Sequence, residues 1–197
     1  MNGYDRRKEQ KEEAILESAL TLFSHKGLRK TSIAEIAKEA HVSQVTIFKY
    51  FDTKENLIEQ VYFKYYEQVL DYYKNVIEKP VSFEEKIKEF IFEKTNISHN
   101  IHDEFLSGAM YTYPSTQTFI DQDFYGKSAE LSRRLIHQGK DEGTINKNLS
   151  DEAILVYIDM TTKYSQDKEH VPTILSMGSE LMDLFLYGLY GKDSRWK

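Results

Sequence analysis

The chain has 197 residues, 26 Lys/Arg against 32 Asp/Glu for a net charge of -6, and 40% hydrophobic residues. That length buries a real core, and the composition excludes disordered, collagen-like and small disulfide-stapled classes. With no cysteine, neither a disulfide framework nor a thiolate metal site can form. Met1 to Glu13 is charged and lacks the apolar stretch of a signal peptide, and no run approaches the ~20 apolar residues of a membrane span. A soluble cytoplasmic protein with no membrane partner is the expectation. Residues 1–55 carry 10 Lys/Arg against 9 Asp/Glu, whereas the remainder carries 16 against 23. Any contact with a polyanion therefore belongs in the first quarter of the chain, where the opposing field is weakest.

Taken in order, the elements read as helices throughout. The only prolines, Pro80, Pro114 and Pro172, fall between periodic segments. A first helix is predicted from Arg6 to His25, with Ile15, Ala19, Leu22 and Phe23 on one face, and Lys26-Gly27 ends it. Ser32 and Glu35 have the spacing of a capping box and open a short helix from Ile33 to Ala40. Another runs from Ser43 to Phe51. Asp52 and Glu55 then open a long fourth helix through Ile77. Further helices are predicted at Ser82–Ser98, Asp103–Tyr113, Ser115–Gly139, Ser150–Tyr164 and Pro172–Tyr190. The expected architecture is all-α: an N-terminal three-helix domain over residues 1–52, then a larger helical domain over 53–197.

Thr31 to Phe51 has the anatomy of a helix-turn-helix. Two short helices that nearly touch need a small residue at the crossing, and Ala37 supplies it; Val42 and Ile47 seal the small core. The outward face of the second helix then carries Ser43, Gln44, Thr46, Lys49 and Tyr50, side chains able to bond base edges or phosphates in a major groove.

The stretch from Ala14 to Leu57 closely resembles the DNA-binding domain of the TetR family of bacterial regulators. The resemblance rests on Leu22-Phe23-Ser-His-Lys-Gly27, Thr31, Ile36-Ala37, Val42-Ser43, Thr46-Ile47-Phe48-Lys49-Tyr50-Phe51 and Lys54-Glu55-Asn-Leu57. It implies a homodimer on a palindromic operator in double-stranded DNA. Thr31 and Ser32 would meet a phosphate at a helix N-terminus. Gln44, Val45, Thr46 and Lys49 would face the groove, with Gln44 reading a base, and Tyr50 and Lys54 would contact phosphates. For Val45 the alternative is packing against Ile33, and for Lys54 a merely solubilising role. Two positions depart from the family pattern. His41 stands where glycine is usual in the turn, and Phe48 stands where tyrosine is usual, so a phosphate hydrogen bond from that position is lost.

The larger part should provide dimerisation and control. Ile174, Gly178, Leu181 and Phe185 lie in a stretch whose apolar face is too wide for one-sided burial, and Ile154 and Ile158 form a matching stripe. Two such helix pairs would make a four-helix interface across a two-fold axis. Tyrosines and phenylalanines are abundant, and Tyr62, Tyr66, Phe105, Met110, Tyr111, Phe124 and Tyr157 are candidates to line a chamber for a small hydrophobic, aromatic or cationic effector. Such an effector, in the family's manner, would shift the fourth helix and respace the two reading heads.

Other chemistry is set aside. His99, His102 and Asp103 read as a helix cap, since no fourth metal ligand accompanies them. No nucleophile elbow or phosphate-cradling glycine loop is present, so neither an enzyme nor a cofactor is expected. The competing function is a DNA-binding regulator with no small-molecule effector, controlled by a protein partner.

Overall fold

The computed structural model describes residues 3–90, 101, 102, 104, 105, 124–166, 170, 173 and 176–190. Eight helices lie among them: α1 (Gly3–Lys26), α2 (Ile33–Glu39), α3 (Gln44–Phe51), α4 (Lys54–Glu78), α5 (residues 83–90), α6 (Tyr125–Asp141), α7 (Asp151–Gln166) and α8 (Gly178–Tyr190). The all-α expectation holds, with one visible shift at the front: α1 begins at Gly3 rather than Arg6. Most of the helix expected at Asp103–Tyr113, and the starts of those expected at Ser115 and Pro172, lie outside the described residues.

The described residues divide into two compact units. One contains α1–α3, α4 through Val69, residues 101, 102, 104 and 105, and Phe124; the other contains α4 from Leu70 and α5–α8.

In the first unit Ile15, Ala19 and Phe23 of α1, Ile36 and Ala37 of α2, and Ile47 and Phe51 of α3 are at most 4% exposed. Gly27 ends α1 at φ 82, a left-handed value that costs glycine little. Thr31 is fully buried, and its hydroxyl donates to the Gly27 carbonyl at 2.8 Å, closing the α1–α2 turn.

In the second unit Phe83, Ile136, Ile145, Ile154 and Leu189 form the core, with Ile158 and Phe185 packed against it. A β-carbon on Gly139 would lie 2.8 Å from Ile145 and 3.0 Å from Phe83, so glycine permits that close approach. Lys86 is buried, its ammonium donating to the Ile77 carbonyl and to Gln138 Oε1.

Candidate nucleic-acid interface

The helix-turn-helix is assembled by short-range devices. Ser32 caps α2: its Oγ accepts the Glu35 amide at 3.2 Å, and the Glu35 carboxylate accepts the Ser32 amide at 2.9 Å. The Ser32 amide, then Lys26 and the Ser32 hydroxyl, lower the Glu35 pKa to about 2. Ser43 caps α3 in the same way, accepting the Thr46 amide at 3.1 Å while the two hydroxyls lie 2.8 Å apart. The turn between α2 and α3 passes through His41 at φ 53, the left-handed conformation expected where the family usually has glycine. The Val42 amide donates to the Ala37 carbonyl at 2.9 Å, which draws the chain tightly over the crossing.

On this frame α3 turns a continuous face to solvent. Gln44 and Lys49 are exposed, Val45 is 77% exposed and Phe48 46% exposed. Val45 therefore does not pack against Ile33, and its alternative role as core is excluded. Val45 and Phe48 are thus two apolar side chains on an otherwise polar exposed face. Tyr50 lies on the flank of this face, its phenol donating to the Lys8 carbonyl at 3.4 Å.

Four expected site residues stand differently. The buried Thr31 hydroxyl is spent on Gly27 and Leu22, so that side chain cannot reach a phosphate; Ser32 beside it is exposed. The Lys54 ammonium is turned inward, donating to the Leu28 carbonyl at 2.7 Å and the Thr31 carbonyl at 2.6 Å, 5.9 Å above the Phe23 ring. It fastens the start of α4 to the α1–α2 turn instead of meeting DNA. Ser43 and Thr46 are engaged as the α3 cap, so any DNA contact they make is shared with that duty.

Sequence reasoning missed a second fastening. The His102 amide donates to the Ser24 carbonyl at 2.6 Å, and the Glu104 carboxylate accepts the Arg29 amide at 3.3 Å and pairs with its guanidinium at 3.2 Å. His102 Nδ1 accepts the Glu104 amide, so this histidine is the cap it was read as. Tyr62 donates to the Phe105 carbonyl at 3.0 Å, and its ring lies 4.9 Å from that of Phe105. Residues 102, 104 and 105 thus grip the end of α1, the following turn and α4. The partners are up to 78 residues apart, from Ser24 to His102, and no local pattern announces them.

The other proposed residues divide. Tyr62 and Phe105 are fully buried against each other, and Tyr66 packs on Phe124 at 4.9 Å. Met110, Tyr111 and Ile174 lie outside the described residues. Tyr157 is 47% exposed and stacks on Phe185 at 5.6 Å, which corrects its placement as chamber lining. Ile154 is 4% exposed within its own unit's core, which corrects its placement at a dimer interface; Gly178 and Leu181 are exposed, and Ile158 and Phe185 are partly buried. No described helix is long and apolar enough to cross a membrane.

Capped helices, a closed turn and a solvent-facing α3 define a helix-turn-helix DNA-binding protein. Residues 15–61 match the family described as bacterial regulatory proteins, tetR family. YuxN of Bacillus subtilis, an uncharacterized HTH-type transcriptional regulator, is 42% identical over 59 residues, which are 30% of this chain and only 20% of that protein. IcaR of Staphylococcus aureus, the negative transcriptional regulator of a biofilm operon, is 26% identical over 158 residues, 76% of this chain and 80% of IcaR. The fold is shared with the regulator FadR of Bacillus subtilis, solved with stearoyl-CoA, at a TM-score of 0.61 and 16% identity over 90% of this chain and 98% of that one. Residues 15–61 thus carry the DNA-binding domain of the TetR family of bacterial regulators.

Proposed function

We propose that the protein is a ligand-responsive repressor that binds a palindromic operator as a homodimer and is released by a small hydrophobic or cationic effector. The observation that carries this reading is the α3 face, where the side chains of Gln44, Val45, Phe48 and Lys49 stand in solvent with no hydrogen bond or ion pair to the described residues. Gln44 reads a base, Val45 and Phe48 meet methyl groups, and Lys49 and Ser32 meet phosphates. IcaR's description as a negative regulator favours repression over activation.

Dimerisation is supported by apolar side chains left outside in the second unit. Val156, Met160, Leu181, Leu184 and Tyr187 are between 42% and 77% exposed on α7 and α8. An isolated chain would leave these faces in water, and a second copy covers them across a two-fold axis. An effector site draws support from the aromatic row Tyr62, Tyr65 and Tyr66 on α4, and from FadR, whose structure holds stearoyl-CoA. Glu59 on the same helix has a buried Oε1 without a hydrogen-bond partner, which favours an effector carrying a positive group. The protein would act on DNA in the cytoplasm.

The test is binding to DNA from upstream of the protein's own gene, at two salt concentrations, beside a random duplex. Tight, salt-sensitive preference for the upstream DNA is expected, and Gln44→Ala should flatten that preference. Base-specificity profiles that are the same for wild type and variant would remove Gln44 from the reading role.

A further inference from the structure

The match to the family begins at residue 15, yet α1 begins at Gly3, so three helical turns precede the first residue of the buried core, Ile15. Residues 5–11 are exposed. Apart from Arg6, which falls among the acidic residues, their charges are sorted by side. With 3.6 residues per turn, Arg7, Lys8 and Lys11 fall within about 100° of arc, while Asp5, Glu9, Glu12 and Glu13 fall within a separate sector of about the same width. The acidic flank continues into Glu17, and Glu13 and Glu17 are spent on Lys64 of α4, Glu17 at 2.9 Å. The basic flank is unspent: Arg7, Lys8 and Lys11 make no ion pair among the described residues.

The Tyr50 phenol fixes where this flank lies. Its contact with the Lys8 carbonyl sets the basic turns of α1 alongside the C-terminal end of α3. A recognition helix in a major groove has phosphates along both flanks, because the groove is walled by the two backbones. A row of free cations beside α3, on a chain whose net charge is -6, has a polyanion as its natural counterpart.

We infer that the first turns of α1 are a second DNA-contact element, in which Arg7, Lys8 and Lys11 bind phosphates of the strand that borders α3 on its Tyr50 side. The inference rests on the DNA-binding function proposed above. These contacts carry no base information; they add affinity on every sequence and widen the footprint beyond the helix-turn-helix.

The test compares three full-length proteins by fluorescence anisotropy on the upstream duplex and on a random duplex across a salt series. They are wild type, the triple variant Arg7→Gln/Lys8→Gln/Lys11→Gln, and a control, Lys127→Gln/Arg133→Gln/Lys147→Gln, which removes the same charge from exposed positions of the second unit. Each phosphate contact contributes about 0.9 to the slope of log affinity against log salt, so the triple variant should lose roughly 2 to 3 per head. Both duplexes should weaken by the same factor, and the control should keep the wild-type slope. A triple variant with the wild-type slope, or a control that loses as much, overturns the inference and leaves the helix-turn-helix reading intact. Wild type with no salt-dependent binding to either duplex overturns both. The substituted side chains are solvent-exposed and unpaired, and unchanged helical circular dichroism verifies that the fold is retained.

Discussion

The helix-turn-helix unit and the α5–α8 unit dispose of their apolar surface in opposite ways. In the first, Ile15, Phe23, Ile36, Ile47 and Phe51 are essentially sealed, and the large exposed apolar side chains on α2 and α3 are two, Val45 and Phe48, both on the outward face of α3. In the second, a core around Phe83, Ile136 and Ile154 is closed, yet Val156, Met160, Leu184 and Tyr187 of the same helices remain outside. The first unit finishes its own surface with caps and turn hydrogen bonds. The second buries one side of α7 and α8 and leaves apolar side chains on the other, the surface on which the proposed dimer rests.

The largest effect that would break this comparison is on assembly. Leu184→Glu combined with Tyr187→Glu places charge on the exposed α8 face and should convert a dimer to a monomer by light scattering. Operator affinity should then fall by about two orders of magnitude or more, because the second head loses its tether. A variant that stays dimeric would show that the exposed face is not the interface.

Next is Lys54→Met, which keeps the stem over Phe23 but removes two charge-assisted bonds to the Leu28 and Thr31 carbonyls. A loss of about 2 kcal/mol in urea unfolding is expected, with no change in the salt slope of DNA binding. Unaltered stability with a slope reduced by about 1 would return Lys54 to the phosphate role.

Glu35 provides a pH test of the capping box. Its folded pKa of about 2 lies below the ordinary 4.5, so the stabilisation it gives is full above 4.5 and fades as pH falls from there towards 2. Glu35→Gln should flatten the melting temperature over that window and change little in its shape above it. A parallel acid decline in wild type and variant would sink this attribution.

The smallest effect is at the turn. His41→Gly relieves a left-handed backbone but adds freedom to the unfolded chain, for a net gain of roughly 0.5 kcal/mol. A lower melting temperature would mean that the imidazole makes contacts outweighing the strain.

What could be read in the sequence follows the same division. Ser32 with Glu35, Gly27 after α1, His41 in the turn and Ala37 at the crossing obey rules that act within a few residues, and each stands in the structure as its pattern implies. Lys54 with Leu28 and Thr31, and Arg29 with Glu104, join residues 23 to 75 apart, and side-chain type alone does not choose the partner. On α7 the run Ala153 to Ile158 is unbroken apolar, so it has no period from which to tell buried Ile154 from exposed Val156 and Tyr157. The early start of α1 was hidden because Gly3-Tyr-Asp carries no sharp cap signal.

Gly27 ties two distant stretches of the chain into one unit of inheritance. A β-carbon there would sit 2.4 Å from the Glu104 carboxylate and 3.0 Å from the His102 ring, besides facing the cost of φ 82. A single methyl group would therefore push aside the carboxylate that holds Arg29. A side chain gained at residue 27 is therefore tolerated only so far as the Glu104 carboxylate swings aside and gives up Arg29, so a change at 27 alters what 102 and 104 can do.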